Sequence, residues 1–217
     1  MRTALKIGTA LLITAAGTAG WGQPALAHDH PGTGSSAGHA NHKIVAAAQL
    51  RQLNRSHAYG VATARVNGKK VTVSVVVKGL LRSAPHAMHI HAGTKGKCPT
   101  AKADTNHDGF VSVTEGHPFY GHIAASLTTR GDTSPASGLA IDRFPAPKSG
   151  TVVYKRTIKV DAHTAMAIKH RNAVIVVHGV DRNGSGVYDG SVKSDLDPKL
   201  PMEATAPAAC GTLRPLH

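Results

Sequence analysis

The sequence predicts an all-β protein: an antiparallel barrel or sandwich with long loops, one disulfide and at most short helices. Three observations carry this expectation. Apolar runs of strand length recur, as at Val71–Val77 and Ala173–Val177, but past the first twenty or so residues none approaches the ~18 apolar residues of a membrane span. An Asn67-Gly68 pair separates two alternating runs, the chemistry of a tight hairpin. The long stretch from Gly93 to Pro147 is rich in Gly, Pro, Asp and Thr, as loops between strands are.

In chain order, Arg2 and Lys6 precede the apolar segment Ile7–Gly20, and Ala25-Leu26-Ala27 is a small-x-small cleavage pattern. This is the layout of a secretory signal peptide over residues 1–27, so the mature, exported chain is expected to begin at His28. Residues 28–57 read as a flexible, His-rich tail, polar and Gly/Ser-rich at first. Within it Ile44 to Leu53, with Ile44, Ala48 and Leu50 as loosely spaced apolar positions, reads as a short helix. Ala62–Val66 and Val71–Val77 flank Asn67-Gly68 and are expected to form a hairpin with a type I′ turn. Val152, Tyr154, Ile158 and Val160 alternate with polar or exposed positions, giving a half-buried strand. Asp161 to Arg171 predicts a short helix capped by Asp161, and Ala173–His178 a fully buried strand.

Cys98 and Cys210 are the only cysteines. An even count in an exported chain most simply means one disulfide closing a very long loop; the alternative, a thiolate metal site, lacks a Cys-x-x-Cys pattern. The formal charge of +13 attracts anions, but aromatic residues make up only 4% of the chain, too few for the base stacking that nucleic acid binding favours. A small anionic substrate or an acidic envelope polymer is equally compatible with this charge. No nucleotide-binding glycine loop and no G-x-S-x-G elbow is present.

The chemistry concentrates at Pro85-His86-Ala87-Met88-His89-Ile90-His91. On a strand, His89 and His91 share one face while Met88 and Ile90 take the other, which makes a bidentate imidazole site suited to copper or zinc. After it come Cys98, the run Val174-Ile175-Val176-Val177-His178-Gly179, and Ala208-Ala209-Cys210-Gly211. This ordered set resembles the copper/zinc superoxide dismutases, exported bacterial members especially, from about Tyr59 to Gly211. The resemblance implies a Greek-key β-barrel domain over residues 58–213, with His89, His91 and His178 as copper ligands and Cys98 joined to Cys210. It also implies a further histidine shared between copper and zinc. Gly116-His117-Pro118 is the best match and His122 the second, with His117 as proton carrier in a two-step redox cycle on superoxide.

Two positions depart from the family pattern. Its zinc loop ends in His-x-Gly-Asp, where this chain has Thr129-Arg130-Gly131-Asp132, so the zinc set reduces to His117, His122 and Asp132. The family's guiding arginine falls at Pro207, leaving Arg130, Arg143 or Arg214 to substitute in space. The Gly79-Leu80 to His91 region is also similar to the chordin-type (CHRD) domain, a non-catalytic binding module, and this supplies the alternative expectation: a metal-binding envelope domain, stabilised by calcium.

Two further metal signals stand apart from the resemblance. Asp104, Asn106, Asp108, Gly109 and Glu115 fit D-x-N-x-D-G-x(5)-E, the pattern of a calcium loop, here without room for an entering helix after Cys98-Pro99. A partial echo from Asp181 to Asp189 has Val192 where the closing Glu would stand. At the expected mature terminus, His28-Asp29-His30 would chelate Cu(II) through the amine, amide nitrogens and the His30 imidazole. His39 and His42 add further imidazoles.

Overall fold

The computed structural model describes residues 43–216. The leader at 1–27, the His28-Asp29-His30 chelate and the histidines at His39 and His42 lie outside them. The described chain is all-β, with strands β1 (Ile44–Gln52), β2 (Tyr59–Asn67), β3 (Lys70–Lys78), β4 (Met88–Ala92), β5 (His122–Ser126), β6 (Val152–Lys159), β7 (Ala173–His178), β8 (Pro207–Thr212) and β9 (Arg214–Pro215). Three short helices interrupt them: α1 (Val113–Tyr120), α2 (Ala162–Lys169) and α3 (Met202–Thr205).

The strands pair antiparallel in the order β5-β4-β7-β8-β1-β2-β3-β6, with β9 beside β1. The path curls into a half-barrel whose β3–β4 and β6–β7 connections cross between its two halves, a Greek key that sets β3 beside β6 and β4 beside β7. Side chains link the two edges: the Tyr154 hydroxyl and the Arg156 guanidinium of β6 donate to the Thr128 carbonyl just past β5, at 3.2 and 2.9 Å. Inside, Val71, Val73, Val75 and Val77 pack with Met88, Ile90, Val152, Ile158, Ile175 and Val177. Each such buried side chain contributes ~1.5–3 kcal/mol relative to exposure.

The predicted strand at Val152–Val160, the buried strand at Ala173–His178 and the Asp161-capped helix are present, the last with the Asp161 carboxylate accepting from Thr164 N–H at 2.6 Å. The disulfide Cys98–Cys210 is formed. Three expectations are corrected. The segment Ile44–Gln52 is β1, not a helix, and its place between β2 and β8 carries the sheet well upstream of residue 58. Its buried Ala46, Ala48 and Leu50 alternate with outward residues; alanine's helix propensity is overridden by pairing on both sides. In the β2–β3 hairpin Asn67 pairs with Lys70, so the turn residues are Gly68 and Lys69. Positive φ falls on Gly68 alone of these, the Gly-first chemistry of a type II′ turn rather than I′.

The stretch from Gly93 to Pro147 is not wholly irregular, since it holds α1 and β5. Helix α1 forms despite Gly116 and Pro118 because Ser112 and Glu115 cap it reciprocally: Glu115 N–H donates to Ser112 Oγ at 3.2 Å and Ser112 N–H to Glu115 Oε2 at 3.0 Å. Gly116 leaves room for the Tyr120 phenol, which folds back over the helix and donates to the Val113 carbonyl.

Candidate metal centre

All five residues of β4 are buried. Met88, Ile90 and Ala92 face the barrel interior, while His89 and His91 face outward beneath the segments that follow α1 and β5. The register to β7 sets His89 opposite Val176 and His91 opposite Val174. His178, two residues beyond Val176 on the same face, therefore comes alongside His89. Pairing is irregular between Ile90 and His91 and between Val177 and His178, local kinks that re-aim side chains beside the site.

The result is a group of three imidazoles, His89, His91 and His178, whose ligand atoms all lie within 4.8 Å of one another. They are 3%, 2% and 4% exposed. In each ring one nitrogen donates to a main-chain carbonyl: His89 Nε2 to Gly138 at 3.0 Å, His91 Nδ1 to Gly121 at 2.8 Å and His178 Nδ1 to Thr205 at 2.8 Å. Those carbonyls fix the tautomers, because the nitrogen facing an acceptor must carry the hydrogen. The remaining nitrogens, His89 Nδ1, His91 Nε2 and His178 Nε2, are buried without a hydrogen-bond partner. Three lone pairs thus converge in a buried pocket, a group that could hold a metal ion.

Burial keeps the rings neutral. It lowers His91 to about 3, helped by the charge of His178, and His178 to about 4; His89 falls well below its ordinary value through burial and then its two imidazole neighbours. Neutral imidazoles at physiological pH are ready to bind metal without first losing protons. Around them, the Phe144 ring lies 5.5 Å from that of His89 and the Tyr120 ring 4.6 Å from that of His91.

His86 is a supporting residue that the sequence reading passed over, although it stands in the same motif. It is fully buried, with Nδ1 2.8 Å from the carbonyl oxygen of His178 and Nε2 3.0 Å from that of Leu81. A third histidine three residues before the His-x-His pair was the available signal.

The other expected ligands do not join the three. His117 on α1 and His122 at the start of β5 are exposed and outside the group, though near enough that their charges oppose protonation of His91. His122 instead lies over Gly93. Asp132 is taken up locally, accepting from the Ser134 and Ser137 hydroxyls at 2.6 Å each, and these bonds hold its carboxyl at about 2. The zinc set His117, His122 and Asp132 is therefore not assembled; among the described residues the His89, His91 and His178 group is the only cluster of this kind. No family model matches the chain, and no curated protein matches it significantly.

Of the three candidate arginines, Arg143 reaches the segment that holds His89, with its Nη2 2.8 Å from Ser137 Oγ, beside Gly138. Arg130 pairs with Asp142 at 3.1 Å on the surface, and Arg214 lies on β9.

Asp104, Asn106 and Asp108 share one loop, and Glu115 stands in the first turn of α1 that follows it. Gly109, with φ of +89°, makes the loop's sharp turn and donates to Asp104 Oδ2 at 3.0 Å. Glu115 Oε1 accepts from the backbone of Thr105 at 2.7 Å and of Asn106 at 3.2 Å. Asp104 Oδ1 is buried without a partner. The partial echo has the corresponding bond, Gly186 N–H to Asp181 Oδ2 at 3.0 Å. There the buried Glu203 of α3 closes the loop from outside its sequence, accepting from Arg182 N–H at 2.9 Å and Asp189 N–H at 3.0 Å. Arg182 also ties the two loops together, donating to the Gly109 carbonyl and lying 4.6 Å from the Phe110 ring centroid.

The disulfide fits an oxidising, extracytoplasmic setting. Among the described residues no helix is long and apolar enough to cross a membrane.

Proposed function

We propose that this chain is an exported copper protein of the superoxide dismutase type, which binds one copper ion through His89 Nδ1, His91 Nε2 and His178 Nε2 and dismutates superoxide. The observation that carries the reading is the convergence of three buried, unpartnered imidazole nitrogens whose opposite nitrogens are pinned to carbonyls. An all-imidazole set suits copper, and its placement on a His-x-His strand and a Val-Val-His strand, beside a Cys98–Cys210 disulfide, supports the resemblance. When bound, copper supplies a one-electron couple, oxidising one superoxide to dioxygen and then reducing a second to hydrogen peroxide with two protons. The chain holds the ligand rings in fixed tautomers and excludes bulk water from them. The exposed imidazole of His117, near His91, serves in this reading as the proton carrier, and the positive surface raises the encounter rate with an anion.

The test is superoxide decay measured on protein loaded with one equivalent of copper, against free copper and the metal-free protein. Dismutation above the free-ion control, lost in His178→Ala, is expected. Stoichiometric copper binding without activity would overturn the enzymatic half of the proposal. That result would support the second reading, a non-catalytic metal-binding module of CHRD type. The near-complete burial of the three ligand rings and the exclusion of His117 from their group favour it.

The loop from Asp104 to Glu115 is assigned to calcium in the same proposal, on the buried, unpartnered Asp104 Oδ1 and the Gly109 turn. Calorimetric titration should show calcium binding that Asp104→Asn weakens; no heat in the intact protein would remove this assignment.

A further inference from the structure

The net charge of +13 is only sparsely neutralised within the fold, since Arg130–Asp142 is the sole ion pair among the described residues. Some of the unpaired charge lines one groove. A groove of about 1250 Å³ runs along β1, β8 and the segment after Cys98, and Arg51, Arg55, Arg182 and Arg214 line it. Arg51, Arg55 and Arg214 are exposed, and neither Arg55 nor Arg214 has an ion pair or side-chain hydrogen bond among the described residues. Arg51 makes one long contact, 3.4 Å to Gln49 Oε1. Asp104 is the one acidic residue of the lining, and its Oδ2 is engaged by Gly109 N–H.

The geometry is that of a track. Arg214 stands beside Ala47 in the β1–β9 register and Arg51 lies four residues further along β1, ~13 Å at the rise of a strand. Arg55 lies in the turn after β1 and lines the same groove. Along β1 the exposed amide of Gln49 stands between Arg214 and Arg51, paired with Val61, which is 54% exposed, and Leu216, 59% exposed, flanks Arg214 on its far side. No aromatic side chain lines the groove, so it offers guanidinium forks and an aliphatic floor but nothing on which a base would stack.

We propose that this groove binds a linear, base-free polyanion with phosphodiester groups: successive phosphates engage Arg214, Arg51 and Arg55, and the linking backbone lies against Val61 and the Gln49 amide, with Leu216 flanking Arg214. Arginine suits this role because its planar fork meets two oxygens of one phosphate, and the contacts are salt-dependent because counterions are released from the polymer. The site places the protein on an acidic polymer while leaving the three-histidine group unblocked. It stands independently of the copper reading.

The experiment measures binding of the copper-loaded protein to poly(glycerol phosphate) across a salt series. Two charge-matched triple variants are compared: Arg51→Glu, Arg55→Glu, Arg214→Glu in the groove, and Lys70→Glu, Lys155→Glu, Lys159→Glu on exposed positions of β3 and β6 outside it. The groove variant should lose at least about tenfold in affinity and have a shallower salt dependence, with the control variant losing far less. Equal losses in both variants would reduce the interaction to net charge and overturn the proposal. Tighter binding of the intact protein to single-stranded DNA or to polyglutamate of matched length would overturn the choice of ligand. Unchanged copper content and thermal transition in both variants show that the fold and the metal site are intact.

Discussion

The ring of His86 lies between two main-chain carbonyls, with Nδ1 2.8 Å from the oxygen of His178 and Nε2 3.0 Å from that of Leu81, and the neutral ring donates to one of them. With its hydrogen on Nδ1, His86 holds the backbone of His178, whose own Nδ1 is held by the carbonyl of Thr205. His86→Ala should weaken copper binding by about 10–100-fold, as loss of a partner that orients a metal ligand does. It should also cost about 1–3 kcal/mol of stability by leaving buried polar groups unpaired. Competition with a copper chelator measures the first and chemical denaturation the second. A changed copper EPR spectrum in the variant would distinguish altered ligand orientation from simple destabilisation.

Alanine at His89, His91 or His178 should each reduce tightly bound copper from one equivalent to near zero, since two imidazoles do not complete the set. Metal analysis after desalting reads this directly. In contrast His117→Ala should keep one equivalent, because His117 lies on the exposed side of α1 outside the group. Copper lost from that variant would show that α1 closes onto the site when metal binds.

Acid should destabilise the metal-free protein through the same histidines. In the unfolded chain they bind protons near the ordinary value of 6.5, whereas burial keeps His178 neutral down to about 4 and His91 to about 3. Below 6.5 the unfolded state therefore binds more protons than the folded one. Stability is full above that pH and falls as the pH drops toward 4, by on the order of several kcal/mol in sum. Urea midpoints of the metal-free protein at pH 7.5 and at pH 5 test the direction; equal midpoints would mean that the rings are not held in a dry pocket.

The Cys98–Cys210 bridge closes a separation of 112 residues. In the chain-entropy model, removing it by Cys98→Ser with Cys210→Ser costs about 4–5 kcal/mol. The effect should also reach the metal, because Cys210 packs with Tyr120 and Val176, and these flank His91 and His89. A lowered melting temperature together with weaker copper retention is expected, read by calorimetry and chelator competition.

Much of this architecture is visible locally. Alternation at Val71–Val77 and Val152–Val160, the Asp161 cap, the paired cysteines and the single-faced His89 and His91 are consequences of periods and caps only a few residues long. Strand β1 reads as a helix when Ile44, Ala48 and Leu50 are considered alone, because their spacing is loosely helical, and only the neighbours β2 and β8 make the segment a strand. The hairpin turn was misplaced by one residue for a similar reason: Asn67 tolerates positive φ, but the cross-strand register assigns that conformation to Gly68.

By itself, then, the sequence determined an all-β chain, a disulfide-compatible cysteine pair and two imidazoles on one face of a strand, since side-chain direction and turn chemistry are local properties. Tertiary structure alone decided the rest. The β4–β7 register carried His178 across 89 residues of chain to His89. The carbonyls of Gly121, Gly138 and Thr205, which any residue could have supplied, chose the tautomers and left three lone pairs facing one another. His117, His122 and Asp132 were kept apart because α1, β5 and the serine-rich turn after Asp132 each follow their own caps and pairings. Such convergence depends on distances between residues far apart in the chain, and no local period encodes them.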